Sequence, residues 1–153
     1  MIKVYIDNCV YNRPFDDQTD ELIFIEARAF YIIIKWIEES KIISINSDAL
    51  EYEKNLISNP DRQNRIEDYL SLAKEYMKIS NIITERAKGL IKLGFKDMDA
   101  LHIAMAEFGK ANYFVTCDDE IVNIGKRNQK EIKVKVCNIL EFIEEAIQNV
   151  KND

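Results

Sequence analysis

Histidine occurs once in the 153 residues, tryptophan once, proline twice and glycine four times. With Gly and Pro this scarce, long disordered linkers are not expected. No Gly-rich turn follows the first apolar run, which argues against a dinucleotide-binding βαβ unit. No uncharged apolar run approaches the ~18 residues of a membrane-spanning helix. The most apolar stretch, Leu22 to Ile37, contains Phe24, Phe30, Ile32, Ile33, Ile34 and Trp36 but is interrupted by Glu26, Arg28 and Lys35. It reads as a buried helix, or one partly covered by a second subunit. An excess of positive charge is also missing. Lys and Arg number 21 against 27 Asp and Glu, a net charge of −6, the wrong sign for a protein that simply coats DNA. Nucleic acid stays open as a partner, because acids gathered at a metal site lose their charge to the metal.

Three cysteines, Cys9, Cys117 and Cys137, form no Cys-x-x-Cys pair. With an odd number and no targeting segment ahead of the first strand-like run, they read as free thiols in a reducing cytoplasm. A length of 153 residues with 47% apolar content fits a single domain, residues 1–153, with a sizeable core.

Residues 2 to 6 form a short β-rich run that ends at Asp7. Asn8 to Thr19 is polar, carries Pro14 and reads as a loop. A long helix is expected from about Asp20 to Glu39, then a second strand from Ile42 to Asn46. Helices follow over Ala49 to Ser58, Asp61 to Lys78 and Ile82 to Leu93, and another runs from about Asp97 to Phe108. Tyr113 to Thr116 reads as a buried strand, Asp118 to Lys126 as a short helix, Ile132 to Cys137 as an alternating strand and Ile139 to Val150 as a closing amphipathic helix. Strands interleaved with helices predict a three-layer α/β/α sandwich around a mostly parallel sheet. In such sheets functional groups gather beyond the carboxyl ends of the strands.

Four acids fall at such places. Asp7 ends the first strand, and Asp118 follows the Tyr113–Thr116 strand with only Cys117 between. Asp99 sits in the first turn of its helix, and Glu53 lies on the helix after the second strand. Four carboxylates in one pocket repel each other. A hard divalent cation, Mg²⁺ or Mn²⁺, removes that conflict, prefers oxygen ligands and needs neither His nor Cys. Each acid also has an ordinary alternative. An Asp after a strand is often a turn residue or helix cap, and Asp97 is placed to cap the helix that carries Asp99. Asp48-x-x-Glu51 fits a capping box, which frees Glu53 for the site. Asp119 and Glu120 suit a helix N-terminus without any function. Glu51 and Asp119 remain stand-ins for a proposed ligand.

Together these segments resemble the PIN domain family. The matching pieces are Val4-Tyr5-Ile6-Asp7-Asn8, Ser47-x-x-Leu50-x-x-Glu53, Asp99-Ala100-Leu101-His102-Ile103-Ala104 and Phe114-Val115-Thr116-Cys117-Asp118, in order over essentially the whole chain. The resemblance implies a sheet of about five parallel strands and a metal-dependent ribonuclease whose products are a 5′-phosphate and a 3′-hydroxyl. It implies catalytic and metal-binding roles for Asp7, Glu53, Asp99 and Asp118, with Asn8 and Thr116 as supporting groups. Toxins of toxin–antitoxin pairs are among such members, so RNA, a small antitoxin and a second copy of the chain are the partners it implies. Two departures from a minimal toxin are the long Glu53–Asp99 segment and the Asn12-Arg13-Pro14-Phe15 loop.

Arg13 with Phe15, and Lys92 with Lys96, are the expected RNA-facing groups; an ordinary solvated helix face and a packed loop are the plain alternatives. His102 reads as a packed core residue. The contending functions are a PIN-like scaffold without catalysis, which binds RNA or protein, and an aspartate-nucleophile phosphatase. The phosphatase needs Asp-x-Asp, and Cys9 stands where its second Asp belongs.

Overall fold

The computed structural model describes residues 1–152. It contains β1 (Lys3–Ile6), α1 (Asn8–Asn12), a 3-10 turn (Arg13–Phe15), α2 (Glu21–Glu38), β2 (Ile43–Ser47), α3 (Asp48–Asn55) and α4 (Pro60–Leu70). Then come β3 (Glu75–Met77), α5 (Asn81–Ile91), α6 (Asp97–Phe108), β4 (Tyr113–Thr116), α7 (Asp119–Arg127), β5 (Lys135–Asn138) and α8 (Ile139–Asn152). The five strands form one parallel sheet in the order β3-β2-β1-β4-β5, with helices on both faces. The expected three-layer α/β/α sandwich is the observed architecture.

Strand β1 occupies the centre, and Val4, Tyr5 and Ile6 are fully buried. A strand covered on both faces is apolar throughout, which is why the run shows no alternation. Register pairs Tyr5 with Phe114 on β4, and their rings stack at 5.6 Å. Helix α2 begins at Asp20, whose carboxylate accepts from the Ile23 N–H. It buries Phe30, Ile33 and Ile37 along one stripe. It stops where Ser40 takes φ 57°, with the Ser40 N–H donating to Ile37 O and the Lys41 N–H to Trp36 O, a left-handed helix ending. Among the described residues, no helix is long and apolar enough to cross a membrane.

Three expectations change. The helix expected over Asp61–Lys78 is α4 followed by β3, which pairs Ile45 with Glu75 and Ser47 with Met77. Three residues are too few to show strand periodicity, so pairing with β2 decides their conformation. The loop after Asp7 is mostly helical, as α1 and the 3-10 turn. The capping box at Asp48 does not form. Ser47 caps α3 by accepting from the Leu50 N–H, while Asp48 accepts from the Tyr76 hydroxyl at 2.5 Å and the Ile79 N–H at 2.7 Å.

Candidate functional site

The chain runs outward from β1 to β2 and β3, then crosses to the other side of β1 as β4. Strand order therefore reverses between β1 and β4, and a parallel sheet opens a crevice at such a point. Asp7 stands at the end of β1 and Thr116 and Asp118 at the end of β4.

Asp7 caps α1. One of its oxygens accepts from the Asn8 N–H at 2.8 Å; the other accepts from the Thr116 hydroxyl at 2.8 Å and the Cys9 thiol at 3.3 Å. Thr116 Oγ1 also accepts from the Asp118 N–H at 3.1 Å. One hydroxyl thus fixes the loops of two acids. Asp118 caps α7 as the ordinary alternative expects, with Oδ1 accepting from the Glu120 and Ile121 N–H groups. Its second oxygen takes no hydrogen bond from a described side chain or backbone group, so capping leaves it available.

Glu53 projects from α3 with both oxygens engaged. Oε2 accepts from Asn8 Nδ2 at 3.2 Å, and Oε1 contacts His102 Nε2. His102 is buried, as a core residue would be, but it is not merely packed. Its Nδ1 lies 2.6 Å from the Tyr5 hydroxyl, which lies 2.6 Å from Ser47 Oγ. Burial opposes protonation of His102, but the hydrogen bond to Glu53 and the charges of Asp7, Glu53 and Asp99 outweigh it and raise its pKa. The readable signal was positional: Tyr5, Ser47 and His102 each belong to a motif that also supplies an acid.

Asp99 lies half-buried in the first turn of α6 and accepts no hydrogen bond from a described residue. Burial, then the charges of Asp7 and Asp118, and more weakly Glu53, push its carboxyl up to about 6, against the opposing pull of His102. Lys96, not Asp97, holds the capping position of α6, and its side chain makes no capping bond. The charges of Asp7, Asp118 and Glu53 all act on Asp99, so the four expected acids lie within electrostatic reach of one another. Among the described residues, no three Asp, Glu, His or Cys side chains stand as a ready-made metal site. Glu51 lies 3.2 Å from Lys54 Nζ and Asp119 is exposed in α7, so neither is bonded into the cluster. The Cys9 thiol interacts with Cys117 and is largely buried, which holds its pKa well above the usual range and the thiol protonated.

The expected RNA-facing cations fare differently. Arg13 is tied down, with Nη2 2.8 Å from Glu26 and Nη1 3.1 Å from Asp16, and Glu26 is itself buried. Both carboxylates compete with RNA for its charge. Lys92 and Lys96 are exposed but share no helix face, because α5 ends before Lys92 and Gly94 turns the chain with φ 119°. Arg62, on α4, was not singled out by sequence. It donates from Nε and Nη2 to Asn12 Oδ1 at 3.0 and 2.7 Å.

No family model and no curated protein matches the sequence. Solved structures do. PAE2754 from Pyrobaculum aerophilum superposes with a TM-score of 0.58 at 14% identity, covering 96% of this chain and 96% of that one. VapBC2 from Rickettsia felis, solved bound to a DNA fragment from their promoter, gives a TM-score of 0.58 at 16% identity, covering 90% of this chain and 98% of that one. The fold is PIN-like, as the order of the motifs implied.

Proposed function

We propose that on this PIN-like fold the chain is a divalent-metal-dependent endoribonuclease. The observation that carries the reading is the crowding around Asp99, where burial and three neighbouring carboxylates raise its carboxyl to about 6. The charges of Asp7, Asp118 and Glu53 all bear on Asp99, and the donors of the cluster are oxygens. That donor set fits Mg²⁺ or Mn²⁺. Asp7, Asp99 and Asp118 would hold the ion, directly or through water, and Glu53 would complete the shell or orient the attacking water. When bound, such an ion supplies charge stabilisation at the phosphoryl group and acidifies water.

The remaining groups do work of their own. Thr116 and the Asn8 N–H hold Asp7 in one orientation. Asn8 and His102 grip the two oxygens of Glu53, so its carboxylate is held in one orientation, as a group that orients the attacking water would need. Asp99 and the second oxygen of Asp118 carry no hydrogen bond from a described residue, which leaves both open to a ligand.

The family resemblance and the likeness to VapBC2 support a small antitoxin as partner. Exposed Leu22, Ile25, Tyr31 and Ile32 on α2 support a second copy. The test is cleavage of a pool of structured and single-stranded RNA with Mn²⁺, with Mg²⁺ and with chelator, comparing wild type with Asp99→Asn. Metal-dependent cleavage lost in the variant supports the nuclease. Absence of both cleavage and Mn²⁺ binding by calorimetry would replace it with a non-catalytic scaffold.

A further inference from the structure

We infer that Arg62 holds a backbone phosphate of the nucleic acid beside the acid cluster, an inference that rests on the nuclease reading. Arg62 is half-buried in the first turn of α4. Its guanidinium lies 5.2 Å from the centre of the Phe15 ring, and two of its N–H groups converge on Asn12 Oδ1. Asn12 Nδ2 donates to the Asn8 carbonyl at 2.9 Å and to Asn8 Oδ1 at 3.1 Å, and Asn8 donates to Glu53. Successive hydrogen bonds thus tie this cation to a proposed metal ligand.

Arg62 combines a free charge with a fixed position, whereas Arg65 on the same helix is also without a carboxylate partner among the described residues but is exposed and makes no such contacts. Arg13 pairs with Glu26 and Asp16, Lys54 with Glu51 and Glu67, and Arg86 with Glu107. Among the described residues, Arg62 has no carboxylate partner. A neutral amide oxygen orients a guanidinium without neutralising it, and a guanidinium has more N–H groups than these two contacts use. Stacking on Phe15 and the Asn12 clamp fix its plane in advance, so little freedom is lost on binding. A polyanion approaching four carboxylates needs a fixed, uncompensated cation at the rim. The planar fork of Arg suits a phosphodiester.

The test measures binding of a labelled single-stranded RNA, and of DNA of the same sequence, in chelator so that no cleavage occurs. Affinity is followed across a salt series for wild type, Arg62→Gln, Arg62→Lys and Arg65→Gln. Each lost phosphate contact lowers the magnitude of the slope of log K against log salt by about 0.7 for a single strand. Arg62→Gln is expected to bind roughly tenfold more weakly at low salt and to lose that slope increment with both strands. Arg62→Lys keeps the slope, and Arg65→Gln, an exposed arginine on the same helix, also keeps it. If Arg62→Gln is unfolded by circular dichroism, Arg62→Ala and Arg62→Met take its place. A neutral variant with the wild-type slope, or equal losses in Arg62→Gln and Arg65→Gln, overturns the assignment while leaving the nuclease reading intact. An affinity loss confined to RNA with an unchanged slope assigns Arg62 to a base or the 2′-hydroxyl and overturns it too. Wild type that binds neither strand overturns the assignment to Arg62, while cleavage with Mn²⁺ decides the nuclease reading separately.

Discussion

His102 Nδ1 lies 2.6 Å from the hydroxyl of Tyr5, two residues before Asp7, while its Nε2 meets Glu53. The donors can be ordered along this chain. The Leu50 N–H donates to Ser47 Oγ, Ser47 to Tyr5, Tyr5 to His102 Nδ1, and His102 Nε2–H to the Glu53 carboxylate. With a neutral imidazole every hydrogen has an acceptor. Tyr5→Phe keeps the ring and its stack on Phe114 but leaves His102 Nδ1 buried without a partner. The expected cost is about 1–3 kcal/mol of stability, read as a lower urea midpoint at unchanged slope. If the midpoint matches wild type, the chain of donors does not hold Glu53 as described.

Asp99 gives a pH dependence of definite sign. Its carboxyl is raised on folding from 3.8 to about 6. The metal-free folded state therefore keeps a proton that the unfolded chain has released, and stability falls as pH rises through that window and levels off above it. Asp99→Asn removes this penalty. At pH 7.5 without metal the variant should be more stable than wild type by about 1–2 kcal/mol, after allowance for partial exposure; at pH 4 the two should nearly coincide. Mn²⁺ should then raise the melting temperature of wild type and barely that of the variant. Equal stability at both pH values would show that the carboxylates do not crowd Asp99.

Much of this site was written locally. Each acid stands at a strand end or in a helix turn that periodicity and capping residues mark, and four of the five strands show as β-rich or alternating runs. What stayed hidden depends on partners distant in the chain. Strand β3 is a strand because β2 lies beside it. His102 bonds Tyr5 from 97 positions away and Arg62 reaches Asn12 across 50, and no local pattern announces such a pair. The pairing of Arg13 was hidden for the same reason. In sequence it is a cation in a polar loop near the first acid; its neutralising partner, Glu26, looks like one charge among the apolar residues of α2.

That pairing makes a prediction opposite to an RNA-binding role for Arg13. Glu26 is 1% exposed and accepts from Arg13 Nε at 2.9 Å and from Asn138 Nδ2 at 3.0 Å. Arg13→Ala would leave a buried carboxylate without its counter-charge, a change that costs about 3–5 kcal/mol. Replacing both partners, Arg13→Met with Glu26→Leu, removes the stranded charge and should recover most of that loss, since an apolar pair of similar volume is often as stable as the ion pair it replaces. Denaturant midpoints of the two single variants and the double variant measure the coupling. An Arg13 that served mainly as an RNA contact would behave otherwise: Arg13→Ala would keep the wild-type midpoint and lose RNA affinity, and the double variant would be no more stable than Glu26→Leu alone.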